Sequence, residues 1–149
     1  RSAPGERRLP LAEFLPGPRQ TALKRGELVT SIHIPAHAAG GDGNFLKLGA
    51  RKYLVISIAM CAARIELIDG RVKQAALAVG ACGPVATRLP KVEAALTGRP
   101  LEPRLVSDAA IGPAHSPIDD VRADAAYRAT AAAELVRRTL AGLDRMEPA

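Results

Sequence analysis

The sequence predicts an α+β fold, in which an antiparallel sheet of three to four strands is followed by about three helices packed on one face of the sheet. Two observations lead to this prediction. Four segments before residue 80 alternate apolar and polar side chains, which is the pattern of strands with one buried face. After Pro84 the apolar residues instead recur at helical spacing, between glycines and prolines that end helices.

The first predicted strand covers residues 26–34. Its side chains divide between two faces, with Leu28, Thr30, Ile32 and Ile34 on one face and Val29, Ser31 and His33 on the other. Pro35 ends the strand because proline cannot donate a hydrogen bond to a sheet ladder. A glycine-rich loop then leads to the second predicted strand, residues 44–49.

The next two predicted strands, residues 56–67 and 72–79, form a hairpin. Asp69 and Gly70 lie between them, and this dipeptide favours the tight turns that join antiparallel neighbours. The pairing of these two strands is therefore the most direct topological prediction from the sequence.

Three helices are predicted in the second half. Residues 89–96 form one that Gly98 closes, residues 105–110 form another before Gly112, and the last helix runs to about Leu140 with Gly142 just past it.

The start of the last helix has two candidates. Ser116 to Asp119 has the pattern of a capping box with proline at the first position, and Asp124 is a second possible cap. Within this helix, Asp124 can pair with Arg128 and Glu134 with Arg138, since residues four apart are neighbours on a helix surface.

Composition narrows the class of protein. The 149 residues suit one core of Leu, Val, Ile and Ala, with 48% hydrophobic residues and only 3% aromatic ones. The net charge of +6 is scattered, and the aromatic platforms of single-strand binders are nearly absent, so nucleic-acid binding is not favoured. No apolar run is long enough for a membrane span.

The cysteines and histidines indicate no metal or catalytic cluster. Cys61 and Cys82 are too few for an iron–sulfur cluster and fit reduced structural thiols in a cytoplasmic protein. His33, His37 and His115 are scattered and show no Ser/His/Asp arrangement.

An ordered set of motifs gives the chain its resemblance to a known family. It begins with the sequence from Phe14 to Thr21 (F-x-x-G-x-R-x-T), continues with residues 26–35 (G-E-L-V-x-x-I-x-I-P), and then has F-x-K-x-x-x-R from Phe45 to Arg51. These residues resemble the start of the C-terminal domain of the flavin-binding subunit of molybdenum hydroxylases, the family of xanthine dehydrogenase and carbon monoxide dehydrogenase.

The resemblance extends to the end of the chain. Later matching positions are Ile56, Ser57, Ile58, Val79, Gly80, Pro84, Arg88, Glu93, Leu96, Gly98, Tyr127 and Arg128. Asp124 departs from the pattern, since a small hydroxyl residue is expected there. On this resemblance, residues 1–13 are a lead-in segment, 14–143 the flavoprotein C-terminal domain and 144–149 a loose tail. Nothing before Phe14 resembles the glycine-rich first half of such subunits.

The resemblance implies a component of an oxidoreductase, inactive alone, that forms one wall of an FAD site. FAD would be shared with an absent N-terminal FAD-binding domain. The molybdenum cofactor and two [2Fe–2S] clusters would lie only in partner subunits, from which electrons pass to FAD and on to an acceptor. An alternative is a subunit-interaction module that binds no flavin on its own.

Four residues are predicted to contact the cofactor. The resemblance places flavin contacts on Lys47 and Val29, and a fixed ammonium would favour the negative charge of a reduced flavin. Without the resemblance, Lys47 fits a solvated strand residue and Val29 a core residue. Arg51 and Arg19 can each face an anion. The alternative for both arginines is a structural salt bridge with Glu13 or Glu27.

Overall fold

The computed structural model describes residues 5–112, 117 and 119–144, and it divides the chain into two compact units, Arg1–Gly40 and Gly41–Ala149. The first unit contains a short helix, α1 (Leu11–Phe14), and a 3-10 turn, Ala36–Ala38. The second contains the strands β1 (Asp42–Leu48), β2 (Ala59–Ile68), β3 (Arg71–Gly80) and β4 (Thr87–Arg88), the helices α2 (Pro90–Leu96), α3 (Asp108–Ile111) and α4 (Ala125–Asp144), and a 3-10 turn, Pro103–Leu105.

The predicted fold class is confirmed in the second unit. Its sheet has the order β1-β2-β3-β4, and every neighbouring pair is antiparallel. Asp69 and Gly70 both have positive φ (51° and 72°), as a type I′ turn requires, so the predicted hairpin of β2 and β3 is also confirmed.

One face of the sheet carries the core. Alternate residues of β2 and β3 are buried against the helices, and the core members with the lowest exposure are Ala59, Cys61, Leu77, Leu89, Val92, Leu96, Ala132, Val136 and Leu140. The side chains between them, on the opposite face, are half-buried or exposed. The sheet therefore has one covered face and one open face.

The predicted strand at 26–34 is wrong for this structure. These residues have no strand assignment, and their large apolar side chains are exposed. Alternation describes a chain that could lie on a sheet, but a strand forms only when another strand supplies its hydrogen bonds. Among the described residues the sheet consists of β1 to β4 alone.

Among the described residues, Asp124 is the N-cap of the last helix. Its Oδ1 accepts a hydrogen bond from the backbone N–H of Tyr127 at 2.6 Å, the geometry of an N-cap. Asp119 supports the same end by accepting from the N–H of Ala125. Ser116 and His115 lie outside the described residues.

One of the two predicted helix pairs is confirmed. Glu134 and Arg138 form an ion pair at 2.7 Å, whereas Arg128 pairs with Asp120 instead of Asp124. Asp124 is already engaged in capping, and Arg128 points into the protein interior. The predicted helix at 105–110 is likewise divided between the 3-10 turn Pro103–Leu105 and α3.

The predicted role of Gly142 as a helix stop is wrong, because α4 continues through it to Asp144. A side chain at this position would run into the amide of Asn44 on β1. That amide donates a hydrogen bond of 2.8 Å to the carbonyl oxygen of Thr139. Gly142 thus permits close packing of α4 on the edge strand.

We predict that Gly142→Ala changes the free energy of unfolding differently in the protein that keeps Asn44 and in an Asn44→Ala protein. In an Asn44→Ala protein it should raise the free energy of unfolding by about 0.5–1 kcal/mol, the usual gain of alanine over glycine in a helix. In the protein that keeps Asn44, the new methyl group pushes the Asn44 amide away from the Thr139 carbonyl. Loss of that hydrogen bond costs about 1 kcal/mol and should cancel the gain from alanine. Urea unfolding of the four proteins measures this coupling, and equal effects in both backgrounds would contradict it.

Candidate functional site

Lys47 lies at the edge of the sheet, on its open face. β1 is the edge strand, and Phe45 and Lys47 are two residues apart, so they share one side of it. Both are exposed. The Lys47 Nζ donates a hydrogen bond of 2.8 Å to the carbonyl oxygen of Val55. One of the three ammonium donors is therefore used, and the group still faces solvent.

The segment that follows, residues 49–57 (the β1–β2 loop), folds back toward Lys47. Gly49 makes the fold possible, because a Cβ at this position would collide with the Val55 side chain. Arg51 Nη2 donates to the carbonyl oxygen of Leu54 at 2.6 Å, and Leu54 adopts the left-handed φ of 49°, which is uncommon for such a residue. Lys47 and Arg51 thus donate hydrogen bonds to the carbonyl oxygens of two adjacent loop residues, Val55 and Leu54.

This loop combines positive charge with exposed apolar surface. Residues 47–57 contain three cations and no acidic residue, and the Lys52 ammonium lies 5.3 Å from the centre of the Tyr53 ring. Its large apolar side chains, Tyr53, Leu54 and Ile56, are 70%, 92% and 65% exposed. Such a surface can bind an anion with an apolar body or an acidic partner surface.

The open face beside Lys47 is built from small or flexible side chains. The ladder places Lys47 opposite Met60 and Phe45 opposite Ala62. On the next strand Ala78 lies opposite Ala62. The two alanines are smaller than Phe45, Lys47 and Met60, so the middle of this face carries short side chains.

Arg128 fixes the end of the β1–β2 loop from inside the protein. Its guanidinium donates to the carbonyl oxygens of Ile58 (2.7 Å) and Ala81 (3.0 Å) and to Asp120 (2.7 Å), and only 2% of its side chain is exposed. Ile58 also donates its N–H to Leu48 on β1. Arg128 therefore positions the residues that follow the loop holding Lys47.

The other two predicted site residues lie in the first unit. Val29 is 55% exposed in the segment without secondary structure. Arg19 follows Pro18 in a turn closed by the Gln20 N–H on the Gly17 carbonyl, and its φ of 56° is left-handed. The turn presents an exposed arginine.

Glu27, one of the proposed alternative partners of the arginines, is paired with Arg7 in this structure. The two side chains form a bidentate contact with N–O distances of 2.8 and 2.6 Å. Arg7 and the Lys24 N–H, which also donates to Glu27, lower the pKa of that carboxyl from 4.5 to about 2. Arg51 instead donates to a backbone carbonyl.

A pH titration should reveal this pair. Since the folded pKa of Glu27 is depressed, the pair stabilises the first unit above pH 4.5, and the stabilisation is lost as the pH falls toward about 2. We expect the ¹³C shift of the Glu27 carboxyl to titrate near pH 2, and at a higher pH in an Arg7→Gln protein, where the Lys24 N–H still lowers the pKa. Titration near 4.5 in both proteins would contradict the contact.

Both cysteines are buried and unpaired by disulfide, which agrees with their predicted role as structural thiols. Burial raises the pKa of the Cys61 and Cys82 thiols and keeps them protonated. Among the described residues, no group of three or more His, Cys, Asp or Glu side chains could hold a metal ion. No helix in the described part of the chain is long and apolar enough to cross a membrane.

Lys47 and Arg51 therefore meet at one loop, whereas Val29 and Arg19 belong to the other unit. The sequence analysis did not identify two groups that lie beside Lys47, the Phe45 side chain and the Val55 carbonyl. Phe45 could have been found from its two-residue spacing to Lys47, which puts both on one face of a strand. The Val55 carbonyl could not, because a backbone acceptor leaves no mark in a sequence.

Two family profiles match different parts of the chain. Residues 44–143 match the CO dehydrogenase flavoprotein C-terminal domain, and residues 1–37 match the FAD binding domain in molybdopterin dehydrogenase. The second match corrects the expectation that nothing before Phe14 resembles the first half of such subunits. The gap between the two matches contains the division of the structure after Gly40.

Curated relatives and solved structures give the same family. The chain is 31% identical over 142 residues to the nicotine 6-hydroxylase medium subunit of Paenarthrobacter nicotinovorans, covering 93% of this chain and 49% of the relative. It is 30% identical over 139 residues to the carbon monoxide dehydrogenase medium chain of Hydrogenophaga pseudoflava, covering 91% and 48%. The chain thus spans about half the length of the curated relatives it matches.

Structural similarity covers nearly the whole chain. A carbon monoxide dehydrogenase structure from Hydrogenophaga pseudoflava matches with a TM-score of 0.83 at 31% identity, over 95% of this chain and 50% of that one. Quinoline 2-oxidoreductase from Pseudomonas putida 86 shares the fold, with a TM-score of 0.84 at 22% identity, over 97% and 50%.

Proposed function

This chain belongs to the CO dehydrogenase flavoprotein C-terminal domain family, and on that premise we propose that it forms one wall of an FAD site in a molybdenum-containing hydroxylase or dehydrogenase. The rest of the site lies in an FAD-binding half, of which residues 1–37 match a part. The chain is a component of an oxidoreductase and is inactive by itself.

The observation that carries the proposal is the environment of Lys47. An exposed ammonium stands beside Phe45 on the open face of the sheet, and the neighbouring loop adds two further cations and no acid. A flat, electron-accepting ring with an anionic reduced form suits this combination of surface and charge.

The residues present fit FAD in their chemistry. Lys47 keeps ammonium donors for a carbonyl or ring nitrogen after bonding Val55, and Phe45 provides apolar surface that excludes water. Arg51 supplies charge for an anion, and Val29 and Arg19 stay proposed FAD contacts from the sequence alone. When bound, FAD supplies the capacity to accept and pass on electrons, while these side chains orient it and stabilise negative charge.

The exposed apolar loop is proposed to take part in a subunit contact as well. Tyr53, Leu54 and Ile56 project from a backbone held by Lys47 and Arg51. An exposed apolar loop with basic neighbours suits a partner surface with acidic margins. We assign that partner to the iron–sulfur or molybdenum subunit, which carries the clusters and the molybdenum cofactor from which electrons reach FAD.

The alternative is an interaction module without a flavin role. It explains the apolar loop and the cations beside it, but it gives no role to the open sheet face on which Phe45 and Lys47 lie. The family matches to flavoprotein and FAD-binding domains also favour the flavin wall.

The proposal is tested by FAD binding in a protein that joins this chain to an FAD-binding half. Lys47→Met should weaken FAD binding roughly tenfold or more, the usual effect of losing one charged hydrogen bond. The dissociation constant is measured by recovery of flavin fluorescence on dilution.

Lys52→Met is the matched control. Lys52 lies in the same loop and loses the same charge, but its ammonium stacks on Tyr53. It should change FAD affinity less than about threefold, the effect of a screened surface charge. Equal effects of the two substitutions, or none from either, would favour the interaction module.

A further inference from the structure

Met60 is a large apolar side chain on the open face of the sheet. Its neighbours along β2, Ala59 and Cys61, are buried in the core, so the alternation of the strand turns Met60 to the other side. There it lies opposite Lys47 on one flanking strand and opposite Gly80 on the other. Residues directly opposite each other in an antiparallel pair have Cβ atoms about 5 Å apart, so Met60 and Lys47 are neighbours.

The Met60 side chain lies flat across Gly80. A Cβ at position 80 would stand 2.5 Å from the Cε, 3.1 Å from the Cγ and 3.5 Å from the Sδ of Met60. Position 80 faces the open side of the sheet, because the preceding residue, Val79, belongs to the core, and yet Gly80 is buried. Met60 thus occupies the space that a side chain at position 80 would need, and its conformation depends on this glycine.

The β1–β2 loop brings the thioether and the ammonium together. Ser57 Oγ donates a weak hydrogen bond to Met60 Sδ at 3.8 Å, and Lys47 Nζ donates to the carbonyl oxygen of Val55 at 2.8 Å. Val55 and Ser57 are two residues apart, which is at most about 7 Å along an extended chain. The sulfur and the ammonium nitrogen are therefore both bound by one short stretch of the loop.

We propose that Met60 is a further flavin contact, whose thioether packs against the same ring that the Lys47 ammonium meets. The inference deepens the proposed function and rests on it. A flavin ring is a fused tricyclic plane, so a ring whose polar edge reaches Lys47 also extends over neighbouring side chains of the same face. Methionine suits this contact because its sulfur is polarizable and packs well against aromatic rings.

Gly80 and Ser57 act through Met60. Gly80 leaves room for the methionine side chain to lie along the sheet, so that it meets the plane of a ring and does not stand in the space beside Lys47. Ser57 orients the sulfur. The other role that the contacts allow, in which Met60 only fills the space over Gly80, concerns stability alone and predicts unchanged FAD binding on substitution.

Gly80→Ala tests the contact in the protein that joins this chain to an FAD-binding half. The new methyl group must displace Met60, and the dissociation constant for FAD should rise about two- to tenfold, the range of a sulfur–aromatic contact. In a Met60→Ala protein the same substitution displaces no thioether and should change the constant less than about twofold.

Gly43→Ala is the matched control. It adds the same methyl group to β1, where the nearest atom to a new Cβ would be 3.8 Å away, an ordinary contact. It should change the FAD dissociation constant less than about twofold, since no side chain has to move.

A second measurement needs no substitution at position 80. The joined protein is labelled with methyl-¹³C methionine, and the Met60 signal is identified by its absence from Met60→Leu. Addition of FAD should shift this signal, because a methyl group over an aromatic ring experiences the ring current. A side chain that only fills space over Gly80 would keep its chemical shift.

Two results would overturn the inference. One is a Met60 signal that stays unchanged when FAD binds. The other is a loss of affinity in Gly80→Ala that is equal with and without Met60. Either result leaves the flavin-wall proposal intact where Lys47→Met still weakens FAD binding. A shifted Met60 signal, together with an affinity that Lys47→Met does not change, would support the Met60 contact and contradict the role of Lys47.

Discussion

Replacing Arg128 by methionine should lower the free energy of unfolding of the second unit by about 3–5 kcal/mol. The side chain is 2% exposed and connects three places that are far apart in sequence: Ile58, Ala81 and Asp120. Methionine fills part of the volume but cannot donate a hydrogen bond. The buried carbonyl of Ile58 and the partly buried carbonyl of Ala81 would lose this donor, and the Asp120 carboxylate would lose a cation.

Urea unfolding followed by circular dichroism measures the loss. Arg138→Met is the matched control on the same helix, because Arg138 is 70% exposed and pairs only with Glu134. That substitution should cost less than about 0.5 kcal/mol. Equal stability losses in the two proteins would contradict the structural role given to Arg128.

The same substitution should loosen the β1–β2 loop. Ile58 follows this loop directly, and its carbonyl oxygen is one of the acceptors that Arg128 holds. Amide exchange across residues 50–57 should therefore accelerate in Arg128→Met and not in Arg138→Met. This links a buried side chain on α4 to the placement of Lys47 and Arg51.

Removing the charge of Lys47 should shift the reduction potential of the bound flavin to more negative values by about 30–60 mV. A charge near the ring at an effective dielectric constant of about 20 contributes a few kcal/mol, and about 30 mV corresponds to 1.4 kcal/mol for two electrons. The sign follows from the charges: the ammonium stabilises the reduced, negative flavin more than the oxidised, neutral one.

A photometric redox titration of the joined protein measures this shift for Lys47→Met. Lys52→Met should move the potential by less than about 15 mV, because its ammonium lies over Tyr53 in the loop and not on the strand face that carries Lys47. An identical potential in all three proteins would remove Lys47 from the vicinity of the ring.

Local signals predicted much of the fold. The Asp69-Gly70 pair specified the hairpin because only a few dipeptides accept two positive φ values in succession. Asp124 capped the last helix through a hydrogen bond to a residue three positions away. Both features depend on residues that are close in sequence, and such local patterns can be recognised in a single sequence.

The features that escaped prediction depend on contacts across long distances. Arg128 reaches Ile58 across 70 residues, so helix spacing alone suggested the wrong partner, Asp124. Gly142 was predicted to be a helix stop because glycine often ends helices. The residue that explains it, Asn44, is 98 positions away in the sequence. Residues 28–34 have the alternation of a strand but lack a partner strand in the described sheet.

The four candidate site residues were selected on two grounds, and their contact with the cofactor stays a prediction. Family resemblance selected Lys47 and Val29, and the ability of arginine to face an anion selected Arg51 and Arg19. The structure adds that Lys47 and Arg51 hold carbonyl groups of the same loop. It also places Phe45 next to Lys47 on the open face, a neighbour that two-residue spacing alone could have indicated.

The most direct test of the flavin-wall proposal is a crystal structure of the joined protein with FAD bound. We predict that the Lys47 Nζ lies within about 3.5 Å of an oxygen or nitrogen of the flavin ring, the limit of a hydrogen bond. A structure in which the ring binds entirely within the FAD-binding half, with Lys47 and Phe45 facing another protein surface, would contradict it.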